Sequence, residues 1–127
     1  MEETAIKHAL IIEDDGFFSE LLGRRLAEMG FRVTVVPSVG DAKKALQSET
    51  VDVVCFDMVV SGGDGLKTLS EFKTGTVLKN APLLLLVDKE LERRVSEWAG
   101  ADAVEYLVKQ ESSPEDIALK IESLVRA

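Results

Sequence analysis

The sequence predicts an α/β domain: a doubly wound, five-stranded parallel sheet in a (βα)5 three-layer sandwich. Three observations carry that reading. Five short apolar runs alternate with five stretches whose apolar residues recur at helical spacing. The runs are continuously apolar rather than alternating, which marks strands covered on both faces. Strand and helix follow one another with no internal repeat, low-complexity segment or linker, so the sheet is parallel and right-handed crossovers put helices on both sides. At 127 residues the chain is one domain, taken to run over 6–127.

Each element follows from its residues. Ala9-Leu10-Ile11-Ile12 is the first strand and stops at Glu13-Asp14-Asp15-Gly16. Phe18, Leu21, Leu22, Leu26 and Met29 then keep helical spacing, with Asp15 as N-cap and Gly30 as the residue that ends the helix. The stretch from Phe31 to Val36 is β-branched and aromatic, hence the second strand. Ser38 with Asp41 three residues on is a loose capping box for a helix that buries Val39, Ala42, Ala45 and Leu46. The third strand runs from Val51 to Phe56 and ends at Asp57. A loop with Gly62, Gly63 and Gly65 leads to a helix through Leu66, Leu69 and Phe72, and Gly75 and Asn80-Ala81-Pro82 mark the way out. The fourth strand runs from Leu83 to Val87. Leu91, Val95 and Trp98 line the next helix, with Trp98 expected in the core, and Gly100 ends it. Tyr106-Leu107-Val108 is the centre of the fifth strand, closed by Lys109. Ser113-Pro114 opens the last helix, whose inner face is Ile117, Ile121, Leu124 and Val125.

Composition narrows the function. Fifteen Lys+Arg against 23 Asp+Glu leave a net charge of −8, the wrong sign for a nucleic-acid surface. Cys55 is the single cysteine, which excludes an internal disulfide and a Cys-based zinc site. The longest apolar run, Leu83 to Val87, is far short of the roughly 20 residues that cross a bilayer. The acidic start, Met1-Glu2-Glu3-Thr4, lacks the basic flank and apolar core of a signal peptide. The expectation is a cytoplasmic domain with neither a membrane nor a nucleic-acid partner.

In sheets of this kind the functional crevice lies at the carboxyl ends of the strands. Those ends carry Glu13, Asp14 and Asp15, then Asp57, then Val87 and Asp88, then Lys109. Asp15 is accounted for as a helix cap, but Glu13 and Asp14 cannot both be caps. Asp57 sits between apolar residues, where a carboxylate is costly to bury unless it is paired or on a metal. If the first strand lies beside the third, Glu13, Asp14 and Asp57 converge, and only a divalent cation or raised pKa values relieve their repulsion. An all-oxygen donor set selects Mg²⁺, Ca²⁺ or Mn²⁺. Lys109 opposite them is placed for one more anionic group, such as a phosphoryl.

These residues carry a resemblance that covers nearly the whole chain. Leu10-Ile11-Ile12-Glu13-Asp14-Asp15, Val53-Val54-Cys55-Phe56-Asp57-Met58 with Gly63-Asp64-Gly65, Ala99-Gly100-Ala101-Asp102 and Tyr106-Leu107-Val108-Lys109 stand in order and at near-family spacing. Together they resemble the receiver domain of two-component response regulators, which implies a flavodoxin-like sandwich. The resemblance makes Asp57 the phosphoacceptor and Mg²⁺ the cofactor. Asp14 and Asp57 would hold the metal, Glu13 would hold it through water, and the backbone carbonyl of Val59 would add an oxygen. Lys109 would pair with the phosphoryl group or with Asp57. The donor would be a sensor histidine kinase or phosphotransfer protein docking on the first helix and the loop after the fifth strand. His8, before the first strand, is not that donor. The face made by the fourth helix, fifth strand and fifth helix would serve homodimer or effector contact. With no effector after Ala127, the chain is a stand-alone domain or a piece of a longer protein. It would be no enzyme beyond catalysing its own phosphorylation.

The sequence departs from the family pattern at several places. Val87 stands where receivers have Thr or Ser, so no hydroxyl is there to grip a phosphoryl oxygen, and Asp88 beside it would repel one. Tyr106 matches the family's switch aromatic without its hydroxyl partner. Gln110 replaces the proline that usually follows the lysine, and Ser61 replaces another after the third strand. About two extra residues between Ala101 and Tyr106 leave the register of the fifth strand open. The alternative is therefore a pseudo-receiver, a phosphorylation-independent interaction module. A Mg²⁺-dependent aspartyl-nucleophile hydrolase fits less well, because Glu13 stands where its nucleophilic Asp belongs and no cap region is present. No Gly-x-Gly-x-x-Gly follows the first strand, which argues against dinucleotide binding.

Overall fold

A computed structural model describes residues 6–59, 65–74, 78–99 and 105–125, with only the backbone of residues 66, 73–74 and 97–99. The Trp98 side chain, Ser61, Gly62, Gly63, Asp64 and Gly100-Ala101-Asp102 are thus outside what is described. Five strands, β1 (His8–Ile12), β2 (Arg32–Val36), β3 (Val53–Asp57), β4 (Leu83–Val87) and β5 (Glu105–Val108), pair in parallel in the order β2-β1-β3-β4-β5. Five helices connect and follow them: α1 (Gly16–Glu28), α2 (Val39–Ser48), α3 (Gly65–Thr74), α4 (Lys89–Ala99) and α5 (Pro114–Val125). No helix among the described residues is long and apolar enough to cross a membrane.

Strand side chains alternate between two cores. Leu10, Ile12, Val54, Phe56, Leu85 and Val87 meet Ala42, Leu46, Leu69, Phe72 and Val95 of α2, α3 and α4. Ala9, Ile11, Val53, Cys55, Leu84 and Leu86 meet Leu22 and Leu26 of α1 and Ile117, Ala118 and Ile121 of α5. This two-sided burial explains why the strands read as unbroken apolar runs. On the first face Phe56 and Phe72 pack edge to face at 5.7 Å, at an interplanar angle of 76°. Each such buried side chain stabilises the fold by about 1.5–3 kcal/mol.

The expected helix ends are present. Asp15 Oδ1 accepts hydrogen bonds from the backbone N–H of Phe17 and Phe18, both at 3.1 Å. Gly30 takes φ +96° after α1, a backbone conformation open to glycine. Ser38 Oγ accepts from Asp41 N at 3.2 Å. Ser113 and Asp116 form a reciprocal box at α5, each accepting from the other's backbone N–H at 3.0 Å. Arg25 Nε of α1 reaches both carboxylate oxygens of Glu115 in α5, at 2.7 and 3.0 Å.

Three boundaries differ from the sequence reading. The third strand begins at Val53 because Asp52 turns to accept a hydrogen bond from His8 N, at 2.7 Å. His8 does not precede the first strand: it is the first residue of β1 and is buried. Its burial is tolerable because both ring nitrogens are partnered, Nδ1 with Thr50 O at 2.8 Å and Nε2 with Thr34 Oγ1 at 2.7 Å. Lys109 does not close β5 but opens a one-turn 3-10 helix, Lys109–Glu111. The register of β5 pairs Val87 with Val108, so Lys109 emerges beside the end of β4.

Candidate functional site

The order β2-β1-β3 makes β1 and β3 neighbours whose connections leave toward opposite sides, the switch point where such sheets open a crevice. Ile12 pairs with Phe56 in register, so Glu13 and Asp57 leave the sheet side by side. Both are buried, Glu13 at 3% exposure and Asp57 at 2%. Opposite them Lys109 Nζ lies 2.7 Å from Asp57 Oδ2 and 3.0 Å from Glu13 Oε1.

Local backbone holds each carboxylate. Asp57 Oδ1 accepts from Val59 N at 2.8 Å, and Glu13 Oε2 accepts from Asp15 N at 3.1 Å. The turn bearing Lys109 is closed by two local bonds: Ser112 Oγ donates to Val108 O at 2.9 Å, and Ser112 N donates to Lys109 O at 3.2 Å. Glu13 Oε1 is at ion-pair distance from Lys109 but not aligned for a hydrogen bond, and is a buried oxygen without one.

Two buried acids share one cation, and their protonation reflects it. Burial, then the contact with Asp57, push the Glu13 carboxyl up to about 7, while Lys109 holds it down. For Lys109 burial acts downward, but the contacts with Asp57 and Glu13 together outweigh it and leave its pKa raised. Burial, aided by Asp57, pushes the Cys55 thiol far up, so Cys55 is inert core.

The remaining expected residues are placed unevenly. Asp14 is exposed on the residue after Glu13. Among the described residues no three His, Cys, Asp or Glu side chains form a group that could hold a metal, so Asp14 is not gathered into one with Glu13 and Asp57. Mg²⁺ does not require such a cage, because one or two carboxylates completed by water and phosphate oxygens are its usual protein ligands. The buried Glu13 oxygen beside Asp57, ion-paired with Lys109 but without a hydrogen bond, fits that cation, as does the all-oxygen donor set.

Val87 is fully buried in the core facing α4, with half-buried Tyr106 packed against the same cluster. The Tyr106 hydroxyl lies 3.2 Å from Ser96 Oγ of α4. Asp88 Oδ1 accepts from Leu91 N at 2.7 Å and so caps α4, a role that sequence reasoning missed. A strand-end acid three residues before an apolar helix position was the signal. The Lys109–Gln110 peptide is trans. A second missed residue is Phe18, whose ring lies under Lys109 Nζ, 4.5 Å from nitrogen to ring centroid. Helical spacing marked Phe18 only as core.

Comparison with known proteins agrees with this geometry. A profile of the response regulator receiver domain matches residues 9–122. Protein PetR of Rhodobacter capsulatus is 29% identical over 119 residues, 94% of this chain and 48% of the relative. The chain spans between a third and about half of the length of the curated relatives it matches. Two solved structures share the fold. The chemotaxis response regulator CheY4 of Vibrio cholerae has a TM-score of 0.79 at 18% identity, covering 94% of this chain and 99% of its own. The receiver domain of sensor histidine kinase PA1611 from Pseudomonas aeruginosa has a TM-score of 0.77 at 20% identity, covering 97% and 100%. That receiver has a magnesium ion coordinated in its active-site cleft. With its sheet order, its buried strand-end acids and a profile match over nearly its whole length, the chain belongs to the response regulator receiver domain family of two-component systems.

Proposed function

We propose that the chain accepts a phosphoryl group on Asp57 from a histidine kinase or phosphotransfer protein, with Mg²⁺ as cofactor. The observation that carries this reading is a buried aspartate with each oxygen engaged, one by Lys109 and one by the Val59 N–H, beside a second buried acid. An Asp57 carboxylate oxygen attacks phosphorus and forms the new O–P bond. The P–N bond of the donor phosphohistidine breaks, its electron pair stays on the imidazole nitrogen, and that nitrogen takes up a proton. Lys109 offsets charge on the acceptor before transfer and on a phosphoryl oxygen after it. The backbone N–H of Val59 fixes the carboxylate plane. Glu13, Asp14, Asp57 and the Val59 carbonyl would hold Mg²⁺, which when bound supplies neutralisation of the crowded oxygens. The chain would act in the cytoplasm, as an acceptor that promotes its own phosphorylation rather than a turnover enzyme.

A second reading, a pseudo-receiver that signals by binding, is favoured by one observation. Val87 is aliphatic, fully buried and packed in the core, so the end of β4 offers a phosphoryl group no hydroxyl. In either case output leaves through the α4-β5-α5 face, by homodimer or effector contact. There Lys120 of α5 and Glu105 of β5 pair at 2.6 Å. Incubation with Mg²⁺ and acetyl phosphate, followed by intact mass measurement, tests the acceptor reading. The expected result is a gain of one phosphoryl group that Asp57→Asn abolishes. No gain in the unmodified chain overturns the acceptor reading and leaves the pseudo-receiver.

A further inference from the structure

We infer that Phe18 is a positioning residue for Lys109, its ring holding the ammonium against Asp57 and Glu13 and screening it from water. The inference rests on the reading of Asp57 as phosphoacceptor. Lysine has a long stem with many rotamers, and its ammonium is strongly hydrated. Left to itself it would spend time in solvent, leaving two buried carboxylates uncompensated. Here the ammonium lies over the Phe18 ring, 4.5 Å from its centroid, while reaching Asp57 Oδ2 at 2.7 Å and Glu13 Oε1 at 3.0 Å. An aromatic face within about 6 Å attracts a cation and displaces the water that would otherwise solvate it. The Lys109 side chain accordingly keeps only 20% of its exposure.

The backbone that carries the ring is itself held from within the site. Glu13 Oε2 accepts from Asp15 N, and Asp15 Oδ1 accepts from Phe17 N and Phe18 N. Contacts therefore run from Glu13 through Asp15 to Phe18, across the ring to Lys109, and on to Asp57. The neighbouring Phe17 offers a contrast: it has the same side chain at 75% exposure and no such contact, whereas Phe18 is half-buried. A leucine at position 18 fills similar space without a ring quadrupole. During transfer, as the O–P bond forms on Asp57 and the donor's bond to phosphorus breaks, the ammonium must stay within reach of the new charge. Loss of the ring slows uptake without removing the acceptor.

The test uses the full chain and the variants Phe18→Leu, Phe18→Ala and Phe18→Tyr. NMR first measures the Lys109 ε-methylene protons with no phosphodonor present. An upfield ring-current displacement that persists in Phe18→Tyr and disappears in Phe18→Leu is expected. Its absence in the unmodified chain overturns the placement. Initial rates of phosphoryl uptake from acetyl phosphate with Mg²⁺ are then compared. Phe18→Leu and Phe18→Ala are expected to lose roughly threefold to thirtyfold in rate, the span of a partly desolvated cation–π contact, and Phe18→Tyr to recover most of it. A Phe18→Leu variant with the full rate overturns the inference, because the ring is then mere packing. If the unmodified chain takes up no phosphoryl group, the acceptor reading fails alone. The Lys109 displacement, measured without donor, still upholds or overturns the placement.

Discussion

The two ends of the sheet each bury a titratable side chain at the edge of β1, and they treat it in opposite ways. At the amino end His8 is surrounded by partners: its backbone N–H donates to Asp52, and both ring nitrogens are bonded, to Thr50 and Thr34. At the carboxyl end Glu13 and Asp57 divide one ammonium, and Glu13 Oε1 has no hydrogen bond. A satisfied network specifies structure, since each buried group gains about as much as it gives up on leaving water. An unsatisfied one stores a demand for positive charge that a ligand can meet. Burial alone does not mark the functional end; the imbalance does.

That contrast gives three measurable consequences. The largest lies at the carboxyl end. Lys109→Met leaves two facing buried acids with no cation and is expected to cost about 3 kcal/mol in denaturant unfolding. Adding Glu13→Gln to Lys109→Met should recover much of that loss; a double variant no more stable than the single one would contradict the shared-cation account. Next comes the amino end. His8→Leu strips partners from Thr34 and Thr50 and should lower stability by about 1–2 kcal/mol, while phosphoryl uptake at Asp57 stays unchanged. A matching loss of uptake would show the two ends coupled. The smallest effect is one of pH. The Glu13 carboxyl is raised from 4.5 to about 7, so the fold binds a proton that the unfolded chain releases. Its contribution is complete below pH 4.5 and is lost as pH rises through 7. Without Mg²⁺, the free energy of unfolding should fall over that interval. Glu13→Gln should flatten the profile.

The centre of the sheet was legible because β1, β3 and β4 are buried on both faces, which writes an unbroken apolar run into each. The helix starts were legible where capping is local: Asp15, Ser38 and Ser113 bond residues two or three positions away. Glu13, Asp57 and Lys109 could be picked out because each stands at or next to the carboxyl end of a predicted strand. What escaped was set by distant partners. His8 meets Thr34, Thr50 and Asp52 across separations of 26, 42 and 44 residues, and no local pattern announces them. Phe18 faces Lys109 only because the register of β5 on β4 delivers the lysine there. Asp88 was misjudged for a simpler reason, since its position at a strand end hid its role at a helix start. The expectation of Trp98 in the core and the Gly62-Gly63 loop lie outside the described residues.

One feature of the turn after β5 bears on speed. Ser112 ties the backbone around Lys109 to Val108 and Lys109, and the Ser113–Asp116 box anchors the next step of the chain. The peptide that carries the lysine therefore has little room to move. If Asp57 accepts a phosphoryl group, re-aiming of the lysine charge toward it must come from rotation about the side-chain bonds. Rotations of an exposed side chain take picoseconds to nanoseconds, but here they must first break the contacts with Asp57, Glu13 and the Phe18 ring. Under the acceptor reading, the lysine charge is re-aimed at the pace at which those contacts break, without waiting for the backbone to move.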